Sequence, residues 1–139
     1  MMKTLDKLVT LEIAKKLKQK GYWSECCKYG WFKRKRGEEW KLLPFTPQNL
    51  IDHKNIILAP TLETTRLWMK NNLKYFFRLS KIVFDRKELD DLYYIDLYKT
   101  KGDFYIETLD GGLKDRRDAY LEGIHATLKF IEKVEKLKI

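Results

Sequence analysis

Two histidines, two cysteines and a scatter of carboxylates are the side chains of this 139-residue chain whose chemistry reaches beyond packing. Cys26 and Cys27 are adjacent. A bridge between chain neighbours is strained, and no second pair stands by to complete a zinc site. They read as a reduced, partly buried pair in a strand. His53 falls in a proline-bounded segment and His125 in a helical stretch, and no local motif joins either to a thiol as base to nucleophile. Asp85, Glu88, Asp90 and Asp91 crowd one connection, while Asp96 and Glu107 fall within strand-like runs ahead of or beside Lys99 and Lys101. A metal-dependent nuclease holds an Asp and a Glu on adjacent strands with a lysine nearby. Asp96 and Glu107 are the pair that would serve, yet Glu107-Thr108-Leu109 lacks the lysine two residues on that such sites carry. Gly111-Gly112 has neither the spacing nor the Lys-Ser/Thr partner of a phosphate-cradling loop. The chain thus offers no catalytic residues, no metal ligands and no cofactor motif, and reads as more consistent with a binding protein than an enzyme.

Binding chemistry is better represented. Tyr29, Trp31, Phe32, Lys33, Arg34 and Trp40 interleave aromatic rings with cations, which suits stacking combined with phosphate contact. The densest basic run is Lys33-Arg34-Lys35-Arg36, supported by Lys15, Lys16, Lys18 and Lys20. The formal charge of +9 is uneven: residues 1–74 hold 16 Lys/Arg against 7 Asp/Glu, and residues 75–139 hold 13 against 13. Such asymmetry draws in an acidic partner, and it also serves solubility, because cations at a hairpin tip are well solvated. Trp31 and Trp40 equally suit a cross-hairpin pair in the core. No helix-turn-helix, zinc-finger or RNA-recognition signature is present. A free aromatic hairpin also suits a protein partner.

The elements that must position these residues follow from periodicity and punctuation. Thr10 as cap, then Leu11, Ala14 and Leu17, give a helical stripe ending at Gly21. Cys27 to Lys33, a turn over residues 34–38, and Glu39 to Leu43 read as a β-hairpin. Pro44 and Pro47 mark residues 44–55 as a surface loop, and Ile56-Ile57-Leu58 as a short strand. Pro60-Thr61 opens a second helix with Leu62, Thr65, Trp68 and Met69 inward, closed by Asn71-Asn72. Lys74 to Phe84, Leu92 to Lys99 and Phe104 to Thr108 are strand-like runs with short polar joints, which favours an antiparallel meander. Gly111-Gly112 is the break before a last helix, with Asp115 or Asp118 at its positive end and a stripe of Leu121, Ile124, Leu128 and Ile131.

The expected fold is α+β: one domain over residues 1–139, an antiparallel sheet of about five strands, and three helices in a single layer on one face. A chain of this size buries a core without disulfide or metal staples. No apolar run nears the ~20 residues needed to cross a bilayer. Met1 to Thr10 lacks the apolar stretch of a secretory signal, so a cytoplasmic location is expected.

Three segments, in this order, carry a family resemblance: Leu11 to Gly21 (LEIAKKLKQKG), Ala59-Pro60-Thr61 leading to Leu67-Trp68-Met69, and Arg117 to Ile124 (RDAYLEGI) with Leu128-Lys129-Phe130-Ile131. Their order resembles a family of small uncharacterised phage and prophage proteins common in Bacteroidales-type genomes. The resemblance implies a compact α+β fold in a phage or mobile-element setting, and brings no activity, substrate or catalytic residues. The functional expectation is therefore a non-catalytic accessory protein, a protein-interaction module. The alternative is a nucleic-acid-binding protein using Lys33, Arg34, Lys35, Arg36, Trp31 and Trp40 within residues 28–41. A metal-dependent nuclease is the second alternative.

Overall fold

The computed structural model describes residues 7–24, 27–33, 39–52, 55–83 and 92–137. Its elements run α1 (Leu11–Gln19), β1 (Tyr29–Lys33), β2 (Lys41–Pro44), α2 (Pro47–Asp52), β3 (Asn55–Leu58), α3 (Leu62–Asn72), β4 (Tyr75–Ile82), β5 (Leu92–Lys99), β6 (Phe104–Leu113) and α4 (Arg116–Leu137), with a 3₁₀ turn at Lys101–Asp103 between β5 and β6. The α+β class holds, but not as one sheet of about five strands with three helices. The strands form two antiparallel three-stranded sheets, ordered β2-β1-β3 and β4-β5-β6, and the described residues include four α-helices. The chain gathers into two compact units, Met1–Thr61 and Leu62–Ile139.

In unit 1 the first helix is closed at both ends by local chemistry. Thr10 is extended at its N-cap and its Oγ1 accepts from the Ile13 N–H at 3.4 Å. At the other end Gly21 takes φ +88, so its N–H reaches Lys18 O at 3.1 Å while Tyr22 N–H reaches Leu17 O at 2.9 Å. That pair of bonds is a Schellman cap, which needs a residue at ease with positive φ. Ile13, Ala14 and Leu17 are the buried stripe; Ala14 and Leu17 are the residues expected, while Leu11 is half-buried and Ile13 is buried in its stead. β1 is the central strand: Trp31 lies opposite Leu42 of β2 and Ile57 of β3. Within the loop expected over residues 44–55, Pro47–Asp52 form a helix. Thr46 Oγ1 accepts from the Asn49 N–H at 3.1 Å and caps α2, with Pro47 at the first helical position. Proline's missing N–H costs nothing there, because that donor has no intrahelical partner anyway. Val9 N–H to Pro60 O at 3.0 Å ties the start of the unit to its end.

Unit 2 contains the expected meander, capped by two helices. β4, β5 and β6 pair in sequence order, and α4 packs on β4, β5 and β6 while α3 touches β4 and α4. Phe76, Phe77, Ile95, Leu97, Ile124 and Leu128 are fully buried. Each contributes about 1.5–3 kcal/mol by removing apolar surface from water. Phe77 meets Tyr120 edge to face with ring centres 5.1 Å apart, and Tyr75 meets Phe130 the same way at 5.3 Å, so α4 lies on the face carrying the odd-numbered β4 residues. The buried α4 stripe is Ala119, Tyr120, Gly123, Ile124, Thr127, Leu128 and Ile131, with Leu121 half-buried at its margin. Gly111 and Gly112 do not start that helix; they lie inside β6, with Gly112 at φ +74. Asp115 is the N-cap instead, its Oδ1 accepting from the Asp118 N–H at 2.9 Å. No helix among the described residues is long and apolar enough to cross a membrane.

Candidate functional site

The basic, aromatic half of unit 1 is drawn together around Trp40. The Nζ atoms of Lys15, from the exposed side of α1, and Lys33, the last residue of β1, each lie 5.6 Å from the Trp40 ring centre. Helix and strand thereby bring two basic runs, far apart in sequence, onto one indole. An ammonium over an indole face is attracted by the ring quadrupole, worth about 0.5–1 kcal/mol where water has access. Two ammoniums on one ring also repel each other, which leaves net positive potential beside a half-buried aromatic. Unit 1 holds 13 Lys/Arg against 6 Asp/Glu, and unit 2 holds 16 against 14.

Trp31 does not share that place. Its register partner in β2 is Leu42, so the expected Trp31–Trp40 cross-hairpin pair does not form. Trp31 is half-buried, and its Nε1 is shut from solvent with no hydrogen-bond partner among the described residues. Leaving such a donor unpaired costs roughly 1–3 kcal/mol, which marks Trp31 as a packing residue retained for its bulk. On the other face of β1, Phe32 is fully buried and meets Phe45 edge-on with centres 5.4 Å apart. Gly30 permits that contact, since a Cβ there would sit 2.9 Å from Phe45 Cζ. Arg34, Lys35 and Arg36 lie outside the described residues, as do Cys26, His53, Asp85, Glu88, Asp90 and Asp91.

The remaining reactive side chains do not converge. Asp96 faces Thr108 across the β5–β6 ladder, whereas Glu107 lies opposite Leu97. Neighbouring ladder positions point to opposite faces of a sheet. Asp96 accordingly joins Ser80 and Thr108, while Glu107 lines a groove of about 660 Å³ with Glu122, His125, Lys129 and Lys133 of α4. The carboxylate pair that the nuclease reading requires is thus divided between two faces. Among the described residues no group of three or more His, Cys, Asp or Glu side chains is placed to hold a metal ion. Cys27 donates its Sγ–H to Tyr29 O at 3.2 Å, and burial pushes its thiol pKa up against smaller opposing effects from the Tyr29 and Ala59 backbone. A thiol held protonated is a poor nucleophile.

The sequence reading missed the polar centre of the second sheet. Asp96 accepts from the Ser80 hydroxyl and from Thr108 Oγ1 at 2.8 Å, and Tyr105 Oη lies 2.9 Å from the same Thr108 oxygen. The alternation Phe76, Arg78, Ser80 in one strand and Tyr94, Asp96, Tyr98 in the next was its only signal. No family model matches the chain, and no curated protein and no solved structure is similar to it.

Proposed function

We propose that the protein is a non-catalytic accessory module, of the kind a phage or mobile element carries, whose unit 1 binds the phosphate backbone of nucleic acid. The observation behind this reading is the convergence of Lys15 and Lys33 on Trp40; in the sequence Lys33 is followed directly by Arg34, Lys35 and Arg36. Lysines act on phosphate as point charges, and a ring beside them offers a base a surface to stack on. Phosphate contacts position a partner without reading its bases, so binding through these lysines is sequence-independent. A protein partner, the other reading of this hairpin, would need Trp31 as its aromatic anchor. Trp31 lies between Leu42 and Ile57 with its Nε1 shut from solvent, whereas Trp40 carries Lys15 and Lys33 over its ring, and the weight moves to the cations.

Fluorescence anisotropy with a labelled 20-nucleotide oligomer, repeated across a salt series, tests the reading. Affinity falls steeply with salt, because each neutralised phosphate releases condensed counterions. Lys15→Gln combined with Lys33→Gln lowers the log–log slope by about 1.4 on a single strand, and adding Gln at residues 34, 35 and 36 lowers it by about 2 more. An unchanged slope in the five-residue variant, or no binding by the wild type at physiological salt, refutes it.

A further inference from the structure

Three rows of side chains cross the unit 2 sheet on the face opposite α4. The first row is Phe76, Tyr98 and Tyr105, which are register partners along β4, β5 and β6. Phe76 and Tyr98 are stacked with centres 5.4 Å apart and planes 18° apart, and Tyr105 meets Tyr98 edge-on at 5.7 Å. The second row is Arg78, Asp96 and Thr108, again register partners. The third is Ser80 and Tyr94, whose ring lies over Gly111 so closely that a Cβ there would sit 2.1 Å from Tyr94 Cδ1. An aromatic row therefore borders a polar row whose central carboxylate is fixed by the Ser80 and Thr108 hydroxyls.

Cations gather at the β4 end of the aromatic row. Arg66, Lys70 and Arg78 lie 5.4, 4.7 and 5.3 Å from the Phe76 ring centre, and the Arg78 guanidinium lies 4.8 Å from that of Tyr98. The carboxylates beside them are Glu63, 3.8 Å from Arg66, Asp103, 3.8 Å from Arg78, and Asp96, the register partner of Arg78. Three cations around one ring repel one another, and a bound anion relieves that repulsion. The face is open where a ligand would enter, with Tyr105 49% exposed and the Arg78 side chain 47% exposed.

We infer that this sheet face binds single-stranded nucleic acid. Unpaired bases stack on Tyr105 and on the planar Arg78 guanidinium, both of which suit any base. Phosphates sit against Arg66, Lys70 and Arg78, and the immobilised Asp96 carboxylate accepts from a base amino group. A duplex hides its base faces in its own stack, so a sheet of this kind reaches only splayed, unpaired nucleotides. The inference goes beyond the backbone-binding reading of unit 1 and stands on different residues.

The test uses the full chain and compares a labelled single-stranded 20-mer, its duplex and a neutral oligosaccharide. The wild type binds the single strand more tightly than the duplex. Tyr105→Ala weakens single-strand binding about tenfold, and Tyr105→Ala with Arg78→Gln removes the preference over duplex. Both side chains are exposed, and an unshifted melting curve verifies that each variant is folded. Lys15→Gln with Lys33→Gln lowers affinity for both forms while keeping their ratio. A ratio unmoved by the Tyr105 and Arg78 changes overturns the inference and leaves the unit 1 reading standing. Binding lost on Tyr105→Ala with Arg78→Gln but kept on Lys15→Gln with Lys33→Gln supports the inference and sinks the other reading. Equal affinity of the wild type for single strand and duplex overturns it, as does capture of the oligosaccharide alone.

Discussion

Replacing Gly123 by alanine should destabilise the protein, although helix propensity says the opposite. Gly123 is buried in the middle of the 22-residue α4, where an alanine ordinarily gains about 1 kcal/mol over glycine. Here the new methyl would sit 2.5 Å from Phe77 Cε2, 2.6 Å from Cδ2 and 2.9 Å from Cζ, inside van der Waals contact with three atoms of one ring. Phe77 has nowhere to retreat: it is fully buried and held edge-on by Tyr120, 5.1 Å away. Forcing a methylene-sized group into a filled core costs roughly 1–3 kcal/mol, and close contact with ring carbons belongs at the upper end. The balance is a net loss of about 1–2 kcal/mol after the propensity gain. Urea unfolding followed by circular dichroism reads this as a lowered midpoint with an unchanged slope. Phe77→Leu in the same chain makes room for the methyl, so the double variant should lose less than the sum of the two singles. Gly123→Ala more stable than wild type, or a pair that simply adds, would refute the argument that α4 approaches the sheet this closely because residue 123 has no side chain.

Other outcomes follow from the same structure. Ile124→Asp places an unpaired charge in the fully buried stripe and should abolish the cooperative melt; an unchanged melting curve would remove α4 from the core. The Tyr120 hydroxyl donates to Glu63 at 2.5 Å, and burial first, then that carboxylate, push its pKa well above the ordinary 10.0. The native state therefore keeps a proton that the unfolded chain gives up, so stability is full below pH 10.0 and falls as pH rises beyond it, a loss that Tyr120→Phe should flatten in alkaline denaturation. In a Cys26→Ser background, Cys27 should react with iodoacetamide slowly near neutrality and speed up only above the usual thiol range; rapid labelling at pH 7 would contradict its burial. Asp96→Asn should reduce any preference for oligo(dC) over oligo(dT), measured by anisotropy, because the carboxylate that accepts from the cytosine amino group is gone.

How much of this was legible depends on which interaction sets each element. Local rules were readable: the Thr10 cap, the Gly21 stop and the α4 stripe all depend on neighbours within a turn. Pro47 was misread because proline breaks a helix in its interior but suits its first position, and only the Thr46 hydroxyl on the Asn49 N–H distinguishes the two. Gly111-Gly112 lies inside β6 where a break before the last helix was expected, because glycine occurs within strands as well as between elements, and the ring of Tyr94 that covers Gly111 is seventeen residues away in the chain. The strands divide into two sheets where one was expected, because nothing in a strand's own sequence names its partner. The Lys15–Trp40–Lys33 cluster was visible as composition; its assembly depends on how α1, which packs on β3, is set against the first sheet, which no spacing rule encodes.

The second sheet also shows why alternation alone could not find its polar face. Along β4 and β5 the residues on that face come every second position: 76, 78 and 80, then 94, 96 and 98. Along β6 their neighbours are Tyr105, Thr108 and Gly111, spaced by three. The difference is made by the register shifts between Leu97 and Tyr98 and again around Ile95, each of which inserts an extra residue on the β6 side. A bulge leaves one residue unpaired and re-aims those after it. β6 closes one end of the β4-β5-β6 order, and bulges there also spoil the flat row of donors and acceptors on which another strand could template. The same irregularity decides the chemistry. With Ile106 taken up by the first bulge, Glu107 falls opposite Leu97 and turns toward α4, while Thr108 falls opposite Asp96 and donates to it. Without that extra residue Glu107 would face Asp96, two carboxylates in need of a cation. With it, Asp96 is satisfied by the Ser80 and Thr108 hydroxyls, and Glu107 is carried to the opposite face of the sheet.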